Sequence, residues 1–221
     1  MCAAGTAPVV LSYPFTGRWK AFNSPARRVP SHGTELLGSS HAIDFVGVDE
    51  RGRSAPWGLR AAVATEPPER FVGFGRTIRA PLSGEVVIAH DGEEDHVARR
   101  SIPAGTAYLL TQASRLRGGA PAVAGNHVVI AASDDGPFVL LAHLRKGRTR
   151  VRVGDRLEVG DLVGECGNSG NSIQPHLHAQ ATDSIDWSAA RGLPIRFRAA
   201  DGSVALPAES EVVTVRALRR R

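Results

Sequence analysis

Short apolar runs separated by turn residues make up the pattern of hydrophobic and polar positions along this chain. The runs are rich in Val and Leu and are bounded by Gly, Pro, Asn and Asp, which is typical of strands joined by tight turns. No segment before residue 187 shows a sustained 3.6-residue periodicity. The pattern therefore predicts an all-β fold with an antiparallel β-sandwich or barrel-like core.

The strand pattern is densest over residues 76–183. "TIRAPLSGEVVIAHDG" predicts strand, turn and strand, "GNHVVIAASDDGPFVLLAHL" a hairpin, and "HLHAQAT" a further strand. An earlier strand, "HAIDFVGVD", contains Asp44 and must pack onto this part from far upstream. We predict a core over residues 36–185, an irregular N-terminal extension over 1–35 and a C-terminal extension over 186–221. "VVLSYPFTGRW" predicts one strand, "DWSAARGL" a short helical turn and "SEVVTVRAL" a last strand.

Composition and charge exclude several classes of protein. The formal net charge is +5, but the basic residues are scattered and do not alternate with aromatics, so we expect no nucleic-acid partner. The sequence contains no run of about 18 apolar residues, which is the length that a membrane-spanning helix needs. The N-terminal residues lack the features of a signal peptide, which predicts a cytoplasmic protein; a cell-wall location would require export by another route. Cys2 and Cys166 are expected to be free thiols, and nothing in the pattern indicates an oligomeric state.

The strongest candidate chemistry lies in "GNSGNSIQPHLHAQ". In a strand, residues two apart share a face, so His176 and His178 point to one side while Leu177 points into a core. Two neighbouring imidazoles above an apolar layer suit a metal ligand and its neighbour. His143, in "LLAHL", becomes a candidate third imidazole beside them. His90, His96 and His127 are expected to be structural or solvated, in turns or on exposed faces.

Asp44 is the candidate carboxylate. A carboxylate inside an apolar strand is costly to bury unless it is paired or binds a metal. A Zn²⁺ ion held by Asp and His is one solution. An aspartate that caps a turn or pairs with an arginine is the alternative.

These residues resemble the M23 metallopeptidases of the lysostaphin and LytM type, which are zinc endopeptidases that cut peptidoglycan cross-bridges. Four features coincide in order: "IDF" with Asp44, "RAPLSGEVV", "LLAHL" with His143, and "VRVGDRLEVGDLVGECGNSGNSIQPHLH" ending at His178. The similarity covers roughly residues 40–182. It implies that Asp44 and His178 are zinc ligands, and that His143 and His176 orient the attacking water and stabilise the oxyanion. The implied activity is metal-assisted hydrolysis of a peptide or peptidoglycan-like substrate.

The sequence departs from this family at the first ligand. The family motif places a histidine four residues before the aspartate, where this chain has Ser40. His41 lies three residues before Asp44 and would face the other side of a regular strand. Three alternatives remain: His32, on the loop "VPSHGTELLG", supplies the ligand; His41 supplies it through an irregular backbone; or no third protein ligand exists.

The missing motif histidine also leaves open a degenerate member of the family that binds or scaffolds without catalysis. A biotinyl- or lipoyl-type carrier is suggested only by the repeated "VGD" turns. It is disfavoured because no lysine lies in "GECGNSG".

Overall fold

A computed structural model describes residues 7–58, 64–101 and 119–216 of the 221-residue chain. Strands dominate these residues, as the pattern predicts. The one described α-helix, α1, is the short segment Gly119–Ala124, and two 3-10 helices span Leu36–His41 and Pro68–Arg70. The segment "GTAYLLTQASRL", like Cys2, lies outside the described residues. None of the described helices is long and apolar enough to cross a membrane.

Fourteen strands are present in the described residues. The first seven are β1 (Val9–Ser12), β2 (Gly17–Phe22), β3 (Ile43–Gly47), β4 (Thr77–Arg79), β5 (Gly84–His90), β6 (Asn126–Ala131) and β7 (Phe138–Leu144). The others are β8 (Arg156–Leu157), β9 (Leu162–Glu165), β10 (Leu177–Thr182), β11 (Gly192–Leu193), β12 (Ile195–Arg198), β13 (Val204–Ala205) and β14 (Val212–Val215).

Nine of these strands form one large antiparallel sheet in the order β14-β2-β3-β10-β7-β6-β5-β8, with β11 added beside β10. β6 and β7 form the predicted hairpin. The strand with Asp44, β3, lies in the middle of the sheet between β2 and β10. Strands from both terminal segments, β2 and β14, therefore belong to the same sheet as the core strands.

One face of the large sheet carries the main hydrophobic core. Alternate residues of its central strands point into this core, among them Ile43, Phe45, Leu141, Leu177 and Ala179. Two smaller sheets, β1-β12-β13 and β4-β9, contribute side chains to the same core and cover this face. The result is a two-layer β-sandwich, and among the described strands the sheet does not close into a barrel.

Two local predictions need correction. The segment "VVLSYPFTGRW" contains two strands rather than one, and they lie in different sheets: β1 pairs in parallel with β12, while β2 pairs with β3. Pro14 between them supplies no backbone N–H, which ends the first strand's ladder. His127, expected on an exposed face, is buried in β6. "DWSAARGL" contains a turn, and the last strand is β14.

Candidate metal centre

The opposite face of the large sheet carries Asp44 and His178 side by side. The residue alternation that sends Ile43 and Phe45 into the core turns Asp44 to this face. Asp44 and His178 are directly paired residues of β3 and β10. His178 Nδ1 lies 2.9 Å from Asp44 Oδ1. The carboxylate is buried, and its two oxygens contact different partners.

His32 reaches the same carboxylate from a loop. Its Nε2 lies 3.1 Å from Asp44 Oδ2. A backbone hydrogen bond from Ser31 N to Ser40 O, 2.9 Å long, folds the loop back over the sheet. The residue at the position of the missing motif ligand, Ser40, thus anchors the loop that brings in another histidine.

Ser31 also sets the tautomer that His32 would adopt when a metal takes the place of its Nε2 proton. The Ser31 hydroxyl donates to Ser39 O at 3.2 Å, so it accepts the proton of His32 Nδ1, which lies 3.0 Å away. With the ring proton on Nδ1, His32 Nε2 is free to ligate a metal.

His41 takes a different position. It is the last residue of the 3-10 helix Leu36–His41, and β3 begins two residues later at Ile43. The backbone therefore does break before the strand. Even so, the group of close metal-ligating side chains among the described residues consists of His32, Asp44 and His178.

The donor set of this group fits a zinc ion. One donor atom from each of the three side chains lies within 4.8 Å of the others. Tetrahedral zinc with bonds of about 2 Å requires donor atoms roughly 3.3 Å apart. His178 Nδ1 lies 2.9 Å from one oxygen of Asp44, and His32 Nε2 lies 3.1 Å from the other, which is close to that spacing. Two imidazoles and one carboxylate leave a fourth position for water or substrate, as catalytic zinc sites do.

Gln180 orients His178 from behind. Its Nε2 donates to Leu37 O at 2.8 Å, and this fixes the amide so that its Oε1 faces His178. Gln180 Oε1 lies 2.9 Å from His178 Nε2. Because a carbonyl oxygen can only accept, the His178 Nε2 must carry a proton, and Nδ1 is left for a metal.

A bulge in β7 turns His143 toward the site. Leu141 and Leu144 both lie in the main core, so regular alternation between them is broken. The β6–β7 register shifts between Asn126 and Val128, and His143 has a φ of 61°. This left-handed conformation is uncommon for a residue other than Gly. Both Ala142 and His143 consequently line the cleft.

His143 and His176 each direct their Nδ1 away from the cleft. His143 Nδ1 lies 2.9 Å from Ser169 O, and His176 Nδ1 lies 2.8 Å from Gln174 O. Since carbonyl oxygens accept, both rings carry their proton on Nδ1 and leave Nε2 for the cleft. His176 Nε2 is 3.6 Å from Asp44 Oδ1. The ring centroids of His143 and His176 are 4.6 Å apart.

Burial and charge set the protonation of these groups. Burial would raise the pKa of Asp44, but the charges of His32 and His176 and the hydrogen bonds of His178 and His32 hold it well below its usual range. Burial would lower the pKa of His32, but the Asp44 charge and hydrogen bond raise it above its usual value. Burial lowers the pKa of His143 strongly, with further lowering by His176 and His178. Burial also lowers the pKa of His176.

Asn23 and Gln180 are site residues that the sequence reasoning missed. Asn23 Nδ2 donates to Asp44 Oδ2 at 2.7 Å. Asn23 follows β2 with a φ of 50°, and its place in "FNSP" is a turn signal that could have been noticed. Gln180 stands two residues after His178, so strand alternation alone places it on the same face.

The four histidines and Asp44 line one cleft of about 430 Å³. One wall is the end of α1, held by the glycine-rich loop before β10. Gly125 and Gly170, both with positive φ, approach so closely that a Cβ on Gly170 would lie 2.3 Å from Gly125 N. The loop "GNSGNS" therefore needs glycine at residue 170 to support this wall.

Solved structures of peptidases resemble the chain at low identity. The catalytic domain of the antimicrobial peptidase lysostaphin from Staphylococcus simulans is 18% identical, with 82% of this chain and 86% of that chain covered and a TM-score of 0.39. The lysostaphin chain in a second structure is 22% identical, with 63% and 44% covered and a TM-score of 0.36. A mutant catalytic domain of the prophage-encoded M23 protein EnpA from Enterococcus faecalis is 17% identical, with 86% and 90% covered and a TM-score of 0.39.

No curated protein matches the chain. Peptidase family M23, however, matches residues 71–189, which is more than half of the chain. The matched region contains His143, His176 and His178, whereas His32 and Asp44 precede it and are joined to it by the geometry above. The chain belongs to peptidase family M23.

Proposed function

We propose that the protein is a zinc metalloendopeptidase that hydrolyses peptide bonds, with peptidoglycan as its substrate. The observation that carries this proposal is the convergence of His32 Nε2, Asp44 and His178 Nδ1 within 4.8 Å at a cleft. Family membership supports peptidoglycan as the polymer, because M23 homologues act on it.

Zinc bound at this group would polarise the scissile carbonyl and lower the pKa of a water molecule beside it. His143 and His176 also line the cleft but do not belong to this group. Their imidazoles would transfer protons as general base and general acid. Their lowered pKa values keep them neutral near pH 7, so their Nε2 atoms can accept the proton of the attacking water. Once protonated, the same atoms can donate to the oxyanion or to the leaving amine.

In this scheme Asp44 is held in a fixed orientation between two histidines, and it supplies negative charge for the metal ion. Its two oxygens face different histidines, and Asn23 holds one of them by a 2.7 Å hydrogen bond. The carboxylate thus stays in one orientation between His32 and His178. An ionised Asp44 supplies the negative charge that favours a divalent cation at a buried position.

A non-catalytic M23-like binding or scaffold domain is the alternative. Its main support is Ser40, where the family motif has a ligand. His32 weakens that support because it brings an imidazole to 3.1 Å from Asp44. The alternative differs from the proposal in one measurable respect, the hydrolysis of a substrate.

The test combines metal content with hydrolysis. We expect purified protein to bind about one zinc per chain and to cleave purified peptidoglycan or its cross-bridge peptides. His178→Ala should abolish both, whereas the control His41→Ala should keep both. Zinc-loaded protein that cleaves no peptide or cell-wall substrate would support the scaffold, and absence of zinc binding would overturn the peptidase proposal.

A further inference from the structure

An apolar wall rises beside the candidate metal centre. It is formed by Leu140 and Ala142 of β7, by Val123 and Ala124 at the end of α1, and by Leu37 and Trp187. Leu140, Ala142 and Ala124 belong to a second hydrophobic cluster on this face of the sheet, and Trp187 packs against that cluster. The wall is thus a built surface of the fold rather than a set of scattered side chains.

The same wall offers no partner for a charged group. Among the described residues that line the cleft, Asp44 is the single carboxylate, and neither Lys nor Arg is present. The remaining ionisable residues in that lining are the four histidines near Asp44. A charged substrate side chain placed against the wall would lose its hydration without gaining an ion pair.

The wall continues into a smaller cavity next to the cleft. This cavity shares Leu37, Leu140, Gln180 and Trp187 with the cleft and extends to Ile185. Trp187 lies between the two, and its ring meets His127 edge to face with centroids 5.7 Å apart. Apolar side chains therefore line the path from the cleft past Trp187 to Ile185, with Gln180 as the polar residue that the two cavities share.

We propose that this wall is a specificity subsite that binds an uncharged aliphatic side chain on the substrate residue next to the scissile bond. The inference rests on the proposed peptidase function, because the reacting bond is taken to lie at the metal centre. A glycine at that position would leave the wall in contact with water. Each methylene buried against the wall should strengthen binding about fourfold, so leucine should be preferred over glycine by at least about tenfold.

The first test uses hydroxamate probes that bind zinc and carry one side chain: acetyl-glycine, acetyl-leucine, acetyl-lysine and acetyl-glutamate hydroxamates. We expect calorimetry on the zinc-loaded protein to give the leucine probe at least roughly tenfold tighter binding than the other three. Trp187→Ala should reduce this preference severalfold without changing zinc content. The matched control is Trp57→Ala, because Trp57 is 76% exposed and does not line the cleft.

Equal binding of the glycine and leucine probes would overturn the subsite. So would a leucine preference that survives unchanged in Trp187→Ala. A preference for the lysine or glutamate probe would also overturn it, because it would require a charged partner in the wall.

A second test does not depend on the metal. In metal-free protein we expect acetyl-leucine amide, and not acetyl-lysine amide, to shift the indole N–H resonance of Trp187 in NMR spectra. If zinc does not bind but this shift occurs, the peptidase proposal fails and the subsite stands. If zinc binds but neither amide shifts the resonance, the subsite fails and the peptidase proposal stands.

Discussion

Asp44 and His178 are opposite residues on neighbouring antiparallel strands, with His178 Nδ1 2.9 Å from Asp44 Oδ1. Two of the three candidate ligands are therefore fixed by the register of the central sheet. A one-residue slip of either strand would turn its ligand to the core face. The third ligand, His32, comes from a loop, so the register of the sheet does not fix its position.

The upstream ligand can be identified by substitution. We expect His32→Ala to reduce bound zinc from about one per chain to well below one, because only two protein donors would remain. Zinc content is measured by elemental analysis after dialysis against a fixed free-zinc concentration. His41→Ala should retain the wild-type content. The reverse result for the two variants would show that His41 is the ligand.

Gln180 should control metal affinity without being a ligand. Gln180→Leu removes the acceptor for His178 Nε2–H, and we expect zinc affinity to fall about 10- to 100-fold. Nitrogen NMR shifts of His178 report the accompanying change in ring tautomer.

Gln180→Glu separates the two contacts of this amide. The carboxylate still accepts from His178 but cannot donate to Leu37 O. We expect this variant to retain more zinc affinity than Gln180→Leu. Equal affinities in wild type and Gln180→Leu would rule out the positioning role.

His143 should matter for turnover and not for metal binding. His143→Gln removes a proton acceptor that lines the cleft, and we expect kcat to fall about 10²- to 10⁴-fold while zinc content stays at the wild-type value. Peptide hydrolysis and elemental analysis on the same preparation provide the measurement. Loss of zinc in this variant would instead identify His143 as part of the metal site.

The buried His143 also predicts a pH dependence of stability in the metal-free protein. Its folded-state pKa lies well below the unfolded value of about 6.5. Between these two pKa values the unfolded chain binds more protons, so the free energy of unfolding rises with pH and levels off above about 6.5. Acidification from about pH 7.5 to 5.5 should therefore lower the free energy of unfolding through this group.

His32 changes the free energy of unfolding in the opposite direction as the pH rises. Its folded-state pKa is raised, so its contribution is complete below about pH 6.5 and is lost as pH rises through the folded value. Urea unfolding of wild type and His143→Gln at both pH values, in the presence of a chelator, isolates the His143 contribution. We expect the variant to lose less stability on acidification. An identical loss in both proteins would contradict the assignment.

The sequence predicts the parts of the fold that follow simple periodicity. Alternation in "HLHAQ" places Leu177 in the core and His178 on the other face, and the structure confirms both positions. The β-rich sandwich likewise follows from short Val-rich runs and turn residues. Family resemblance adds the expected order of the motifs, and the match to peptidase family M23 confirms the family.

Other features depend on irregular backbone, which leaves no periodic pattern of hydrophobic residues in the sequence. If regular strand alternation continued from Leu141, which lies in the core, His143 would point into the core as well. The bulge in β7 turns it to the cleft instead. The eleven residues between His32 and Asp44 do not indicate that the two side chains meet. The contact between them depends instead on the loop's own hydrogen bonds, among them the one from Ser31 N to Ser40 O, and on the side chains around it.

The loop that carries His32 also forms part of the cleft. Thr34, Leu36 and Leu37 follow His32 along the chain and line the same cavity. A metal that joins His32 to the sheet would therefore clamp this segment in place and complete the apolar wall at the same time. We expect metal loading to work as an assembly step for this side of the cleft, while the part of the wall formed by β7, the end of α1 and Trp187 stays in place without the ion.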